Sequence, residues 1–248
     1  MKKDVLDKNT IQSLLKNKHS LKVLDTIDST NDYLKSNFNK YDIVVANKQT
    51  SGKGRRNRKF FSPKDTGIYM SILVKPNFSI EETLKLTALT SVVVYEAIKD
   101  LYNIDIKIKW VNDLILNDLK LGGILCESQI YKDNINMIIG IGINVKKISF
   151  PNDLKDIATS IENNTDKIIS RNELIASIIN HFDNHINKNL SFIDTYKKQS
   201  NTLNKEITVY QNNTSFKGKA IDIDNNGNLI VLSNNKQIIL NSGEITIR

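Results

Sequence analysis

Cysteine is nearly missing from the 248 residues: Cys126 stands alone, so no disulfide can close within the chain, which suits a reducing compartment. With Ile124 and Leu125 beside it and no recognisable base nearby, it reads as a small core residue, not a nucleophile. No stretch approaches the roughly 20 uninterrupted apolar residues that a membrane helix needs. The opening Met-Lys-Lys-Asp-Val-Leu-Asp-Lys is charged and no apolar run follows it. That argues against a signal peptide or lipid anchor and makes a soluble cytoplasmic protein the expectation. Neither a GxxxxGK[ST] phosphate loop nor a GxGxxG dinucleotide fingerprint is present, so a nucleotide site would have to be built on another fold. His181 and His185 are spaced to share a helix face, but no HExxH glutamate or evident third ligand accompanies them. They are expected on a polar face. Internal repeats, low-complexity tracts and long linkers are absent too.

What the chain does have is positive charge, a net +8 from 35 Lys and Arg against 27 Asp and Glu. Such a balance suits nucleic acid, a nucleotide triphosphate or an acidic protein partner and says nothing of fold. The length allows one sizeable core with a small satellite. Periodicity predicts a short helix near 11–15, a strand over 21–26, and a helix starting at Asp28-Ser29-Thr30, whose side chains can cap exposed amides. Strands are expected at 42–47 and 68–75. The longest helix is expected over 80–101 behind a Ser79/Glu82 capping box. Further strands follow at 106–109, 114–116, 120–130 and 137–145, then a helix over 174–186 behind Ser170 and Glu173, and a shorter one over 192–198. From Lys205 onward the pattern changes to short alternating strands with a turn at Asn225-Asn226-Gly227, which suggests a small β-barrel. The class is α+β, divided as 1–201 and 202–248.

Two stretches carry chemistry. In the first, QTSGKGRRNRKFFSP from Gln49 to Pro63, Gly52 and Gly54 permit close backbone approach, while Lys53, Arg55, Arg56, Arg58 and Lys59 crowd five cations into seven positions. Unpaired, those cations repel one another, so an anionic ligand would order a loop that is mobile when empty. The loop by itself is equally compatible with a solvated basic segment that binds RNA or DNA. In the second, KWVNDLILNDLKLGGIL, a hairpin about Asn117-Asp118 pairing 109–116 with 120–125 would bring Asn112, Asp113 and Lys120 together beside Gly122-Gly123. A carboxylate for a metal, an amide for a polar ligand and an ammonium for a phosphate are what adenylation requires: Mg²⁺ and cations neutralise charge as a carboxylate attacks the α-phosphate of ATP. A charged hairpin with a structural glycine pair is the alternative.

Together the two stretches resemble the biotin protein ligase family. DSTN at 28–31 is similar to the family's DSTN element, SGKGRRNRKFFSP to its GRGRRGRxW(F)SP loop, KWVNDL to KWPNDL and KLGGIL to K(L)xGIL. GIGINV at 140–145 is similar to the G(I/A)GINV strand, and ATSI at 158–161 to ATSL; all six occur in the family's order. The resemblance implies a mixed-sheet catalytic domain related to class II aminoacyl-tRNA synthetases, followed by an SH3-like barrel. It implies biotin contacts from Ser29, Thr30, Asn31, Gln49, Gly52, Gly54, Arg55, Arg56, Lys120 and Gly123, and ATP contacts from Arg55, Arg58, Phe60, Asn112 and Asn144. Lys120, Arg55 and Asp113 would be catalytic, with Asp113 at the metal, and the acceptor would be a lysine of a biotin carboxyl carrier protein.

Three positions depart from the family pattern: Lys53 stands for Arg, Asn57 for Gly and Val111 for Pro, while Phe60 stands where Trp is frequent. Lys keeps the charge without the planar fork, Asn tolerates positive φ, and Val frees φ while suiting a strand. Only 28 residues precede Ser29, too few for the DNA-reading head of some relatives, so neither repressor function nor DNA is expected. Homodimerisation through sheet edges occurs in relatives and is left open by the sequence. The rivals are a lipoate–protein ligase, which shares the fold, and a non-enzymatic nucleic-acid binder using the positive charge.

Overall fold

A computed structural model describes residues 4–74, 82–131, 134–188, 191–211 and 214–247. The Ser79 of the first capping box, with Lys75 and Ile80, lies outside the described residues. Near the amino terminus Asp7 accepts from Thr10 N at 2.7 Å and starts α1 (Lys8–Leu14), three residues ahead of the expected position. Strand β1 (Leu21–Ile27) then leads to α2 (Thr30–Asn37), which begins where Ser29 accepts from Asp32 N.

Strands β2 (Ile43–Gln49) and β3 (Gly67–Val74) are buried along nearly their whole length because helices cover both sides of the sheet. Alternate residues divide between the faces. Val45, Ile72 and Ile139 join the large core, whereas Val44, Leu73 and Ile138 form a small cluster with Leu34 of α2. The large core is covered by α3 (Thr83–Tyr102) packed on α4 (Arg171–Lys188). Glu173 N donates to Ser170 Oγ at 3.3 Å, as the second capping box requires. A fifth helix, α5 (Ile193–Gln199), follows.

Four more strands complete the first sheet: β4 (Lys107–Lys109), β5 (Asp113–Leu116), β6 (Leu119–Tyr131) and β7 (Asn134–Asn144). The order is β1-β2-β3-β7-β6-β5-β4, with β1–β2 parallel and the other neighbours antiparallel, which makes the sheet mixed. The separate strands expected at 106–109 and 114–116 are present as β4 and β5, whereas the hairpin arm expected over 109–116 begins only at Asp113: residues 110–112 form a turn, and β4 lies antiparallel to β5. The reversal at Asn117-Asp118 is as expected, with φ of 49° and 62° in the left-handed region of a type I′ hairpin turn.

The second sheet contains β8 (Glu206–Gln211), β9 (Thr214–Ile223), β10 (Leu229–Ser233), β11 (Lys236–Leu240) and β12 (Glu244–Ile247), all antiparallel in the order β11-β10-β9-β8-β12. Its inner residues Ile207, Val209, Val231 and Leu240 belong to the large core, so the two sheets share one apolar interior. Trp110 fastens them: its indole donates to Gly227 O at 2.9 Å and its backbone N–H to Thr202 Oγ1 at 3.0 Å. No described helix is long and apolar enough to cross a membrane.

Candidate active site

The basic loop is a small folded unit. Phe60 N donates to Gly52 O at 2.8 Å, Gly54 N to Arg58 O at 2.7 Å, and Lys53 bridges Lys59, closing a short turn of 3₁₀ helix at Arg55–Asn57. Asn57 has φ of 60°, consistent with its standing where the family has glycine, and Arg56 shares the conformation at 54°. Gly52 is required by sterics: a Cβ there would lie 2.5 Å from Ser62 Oγ and 2.6 Å from the Phe60 carbonyl oxygen.

The loop's cations are largely paired within the chain. Lys53 contacts Asp32 at 2.6 Å, and Glu244 of β12 takes Arg56 at 2.9 Å and Arg58 at 2.5 Å. The expected repulsion is thus relieved by carboxylates that lie far away in sequence. Arg55 differs. It turns inward, where burial and then the charge of Arg56 push its pKa down, and its guanidinium donates at 3.3 Å to Asn112 Oδ1 and to Gly243 O.

Opposite the loop, Lys120 Nζ meets Asp113 Oδ1 at 2.6 Å. Lys120 is fixed through its backbone, its N–H donating to Ile157 O and its carbonyl accepting from Thr159 N, both at 2.9 Å. Asn112 Nδ2 donates to Ile124 O at 3.0 Å, which aims Oδ1 at Arg55. Asn144 Nδ2 donates to Thr159 O at 3.0 Å. The Phe60 ring lies on bare backbone at Gly142, where a Cβ would come within 2.6 Å of the ring, and it meets Tyr69 edge-on at 6.3 Å.

The polar end is a network. Thr30 donates to Gln49 Oε1 from its backbone at 2.9 Å and from its hydroxyl at 3.1 Å, and Gln49 Nε2 donates to Ser62 Oγ at 3.1 Å. The Ser71 hydroxyl lies 2.8 Å from Thr30 Oγ1 and 2.6 Å from Asn31 Oδ1. Asn31 Nδ2 donates to Glu127 at 2.6 Å, and Lys35 caps the other oxygen of Glu127 at 2.7 Å. Both ends of Asn31 are therefore engaged, and it braces the floor against the bare backbone of Gly140.

These parts line one cavity of about 670 Å³, within the range of about 300–1,000 Å³ common for small-molecule sites. Of the residues expected from sequence, Ser29, Thr30, Asn31, Gln49, Gly54, Arg55, Arg56, Arg58, Phe60, Asn112, Asp113, Lys120, Gly123 and Asn144 face it. Gly52 does not; its part is to let Phe60 and Ser62 close over it. Lys109, Trp110, Asn201, Lys205, Gly243 and Glu244 also line the cavity and were not foreseen as site residues; Gly243 and Glu244 reach it only because the second sheet docks there. Glu127 and Ser71 bear on the site from beneath, and no local signal marks them.

No group of three or more His, Cys, Asp and Glu able to hold a metal occurs among the described residues. The two histidines are not on a polar face: His185 is buried and meets Glu96 at 2.7 Å, while His181 meets Glu96 and Asp100, joining α4 to α3. Burial, with a smaller push from Glu127, raises the Cys126 thiol to about 12, so it is inert as expected.

Comparison with known proteins accounts for both sheets. Residues 23–144 match the biotin/lipoate A/B protein ligase family, and residues 202–248 match the biotin protein ligase C-terminal domain. The bifunctional ligase/repressor BirA of Bacillus spizizenii is 34% identical over 219 residues, covering 84% of this chain and 67% of that protein. The Salmonella typhimurium protein of the same name is 28% identical, covering 98% and 79%. The biotin protein ligase of Aquifex aeolicus in complex with biotin and ATP superposes with a TM-score of 0.79 at 28% identity, over 94% of this chain and 99% of that one. With the catalytic and C-terminal parts matched in order, and the expected motifs gathered about a single cavity, the chain belongs to the biotin protein ligase family of enzymes.

Proposed function

We propose that the chain activates biotin with ATP and transfers it to one lysine of a biotin carboxyl carrier protein in the cytoplasm. The observation that carries this is the meeting of Arg55, Asn112, Asp113 and Lys120 in one cavity whose other end is the Ser29–Thr30–Gln49 network. In the first step an oxygen of the biotin carboxylate attacks the α-phosphorus of ATP, and pyrophosphate leaves with the electron pair of the broken P–O bond. In the second, a neutral carrier lysine amine attacks the carboxyl carbon of biotinyl-5′-AMP, forming an amide and releasing AMP.

Each group has a part in those steps. Ser29 Oγ accepts from Asp32 N as a helix cap, which leaves its proton to donate to the ureido oxygen of biotin beside Thr30 and Gln49. Arg55, half-buried and bonded only to neutral acceptors, keeps its charge for the carboxylate and the α-phosphate. Lys120 leaves Asp113 to stabilise the attack. Phe60 and Asn144 flank the adenine, with Arg58 near the nucleotide. Gly54, Arg56 and Gly123 supply the remaining wall at biotin. Asp113 alone among the expected residues offers a carboxylate, and its site fits a Mg²⁺, an ion that takes one or two carboxylates and completes its shell with phosphate oxygens and water. Such an ion would neutralise phosphate charge. The division at 201/202 would give a catalytic part and a part that closes over its loop through Glu244.

The test is to incubate apo-carrier and ATP with biotin or with lipoate and weigh the carrier. Addition of biotin alone is expected; addition of lipoate alone would make the chain a lipoate ligase, and no addition of either would reject the transfer.

A further inference from the structure

Lys120 owes its place to a segment with little regular structure. Between β7 and the 3₁₀ turn at Ile161–Asn163, residues 145–160 form no helix or strand among the described residues, apart from the bridge of Ala158 to Lys120. Yet this segment holds Lys120 on both sides, through Ile157 O and Thr159 N, and its Phe150, Leu154 and Ile157 line the cavity. A loop without a ladder can fix a neighbour only if its own ends are fixed by other groups.

One carboxylate and one amide fix both ends. Glu162 N donates to Val145 O at 2.9 Å. Its Oε1 accepts from Lys146 Nζ and from Ile169 N, both at 3.0 Å, while Oε2 accepts from Lys147 N at 3.2 Å. Beside it Asn163 exchanges two bonds with Ile148, Oδ1 accepting from the N–H at 3.1 Å and Nδ2 donating to the carbonyl at 2.9 Å. Lys146 also meets Asp4 Oδ2 at 3.1 Å and Ile169 O, so three acceptors surround its three N–H groups. With side-chain exposures of 16% for Lys146 and 17% for Glu162, these are charge-assisted bonds that solvent screens little. Asn164 extends the tie to the hairpin turn before Lys120: Nδ2 donates to Thr159 Oγ1 at 2.7 Å, and Oδ1 accepts from Asn117 Nδ2 at 2.9 Å.

We propose that Glu162, with Lys146 and Asn163, clasps the two ends of this loop and so positions Lys120 for adenylation. This rests on the part given to Lys120 above. Glu162 does not line the cavity, so it is a positioning residue that acts through Lys120 and not on a substrate. An ammonium that must meet charge developing at the α-phosphorus loses much of its effect when displaced by about 1 Å.

A double-mutant cycle separates positioning from a purely structural part. Glu162→Gln keeps an acceptor for Lys146 and Ile169 but sets an amide donor against the Lys147 N–H. Adenylate formation in single turnovers at saturating biotin and ATP is expected to fall about tenfold. The biotin Kd should stay within about twofold, because the clasp bonds none of Ser29, Thr30 and Gln49 among the described residues. In a Lys120→Ala background the same substitution should cost less than about twofold, since the group that the clasp positions is gone. Asn163→Ala opens the loop from its exposed side and should show the same dependence on Lys120, even where Glu162→Gln folds poorly. An equal loss in both backgrounds, wild-type rates in both clasp variants, or a biotin Kd that weakens in step with the rate overturns the proposal. An unaltered enzyme that forms no adenylate from biotin and ATP instead removes the adenylating function itself, and the clasp's part with it.

Discussion

Lys120 and Asp113 stand 2.6 Å apart on the cavity wall, so each offsets the other's charge. Removing the ammonium takes away stabilisation where charge develops, and not the ureido contacts of biotin. Lys120→Ala should therefore slow adenylation by about 10²–10³ while changing the biotin Kd far less; equal rates for variant and wild type would remove Lys120 from the mechanism. Arg55 spans Asn112 and Gly243 and so ties the loop to both sheets. Arg55→Gly is expected to release biotinyl-AMP into solution and label proteins without selection, and full retention of the adenylate would contradict the part given to Arg55. Much of this scale was legible in the sequence, because a cap such as Ser29 or a left-handed Asn57 acts on its neighbours. The partners of Arg56 and Arg58 were not, since Glu244 lies 188 residues from Arg56.

Elements were legible where periodicity ran long, as in α3 and α4, or where punctuation was strong, as at Asn117-Asp118. The gap between β4 and β5 was legible too, but their antiparallel pairing was not, because Trp110-Val111-Asn112 contains neither glycine nor proline and Trp110 is held by partners elsewhere, Thr202 and Gly227. The histidine pair on α4 was misplaced because its neighbours come from α3. Burial opposes ionisation of Glu96, yet the hydrogen bonds from His181 and His185 outweigh it and draw the carboxyl down to about 2 from 4.5. A folded pKa below the unfolded one stabilises above pH 4.5, and the benefit drains away as pH falls toward 2. Glu96→Gln should thus lower Tm at neutral pH, with the gap from wild type closing as the pH is lowered; a gap that stays constant with pH would contradict the clamp. Arg171 is wholly buried, and it bonds Asp4 at 2.9 Å and Asn47 at 2.8 Å. Arg171→Ala leaves Asp4 to Lys146, 3.1 Å away, but takes the donor from Asn47 Oδ1, and should cost about 1–3 kcal/mol in denaturant unfolding.

At the scale of the whole molecule, the second sheet acts on the first through Glu244. Its bonds to Arg56 and Arg58 are partly exposed, and pairs of that kind contribute about 0–1 kcal/mol to stability. Their effect belongs to loop position. Glu244→Gln should leave the unfolding midpoint almost unchanged while amide hydrogens at 53–59 exchange faster and adenylation at low ATP slows; a large loss of stability with unchanged exchange would reverse that assignment. The motifs in the sequence announced a loop and a hairpin, and the shared cavity appeared only once Trp110, bonded to Thr202 and Gly227, joined the sheets. The most direct test of the account is exchange of labelled pyrophosphate into ATP by the intact protein. Exchange that requires biotin and disappears in Lys120→Ala is the result expected; exchange that proceeds equally without biotin, or none at all, would contradict the account.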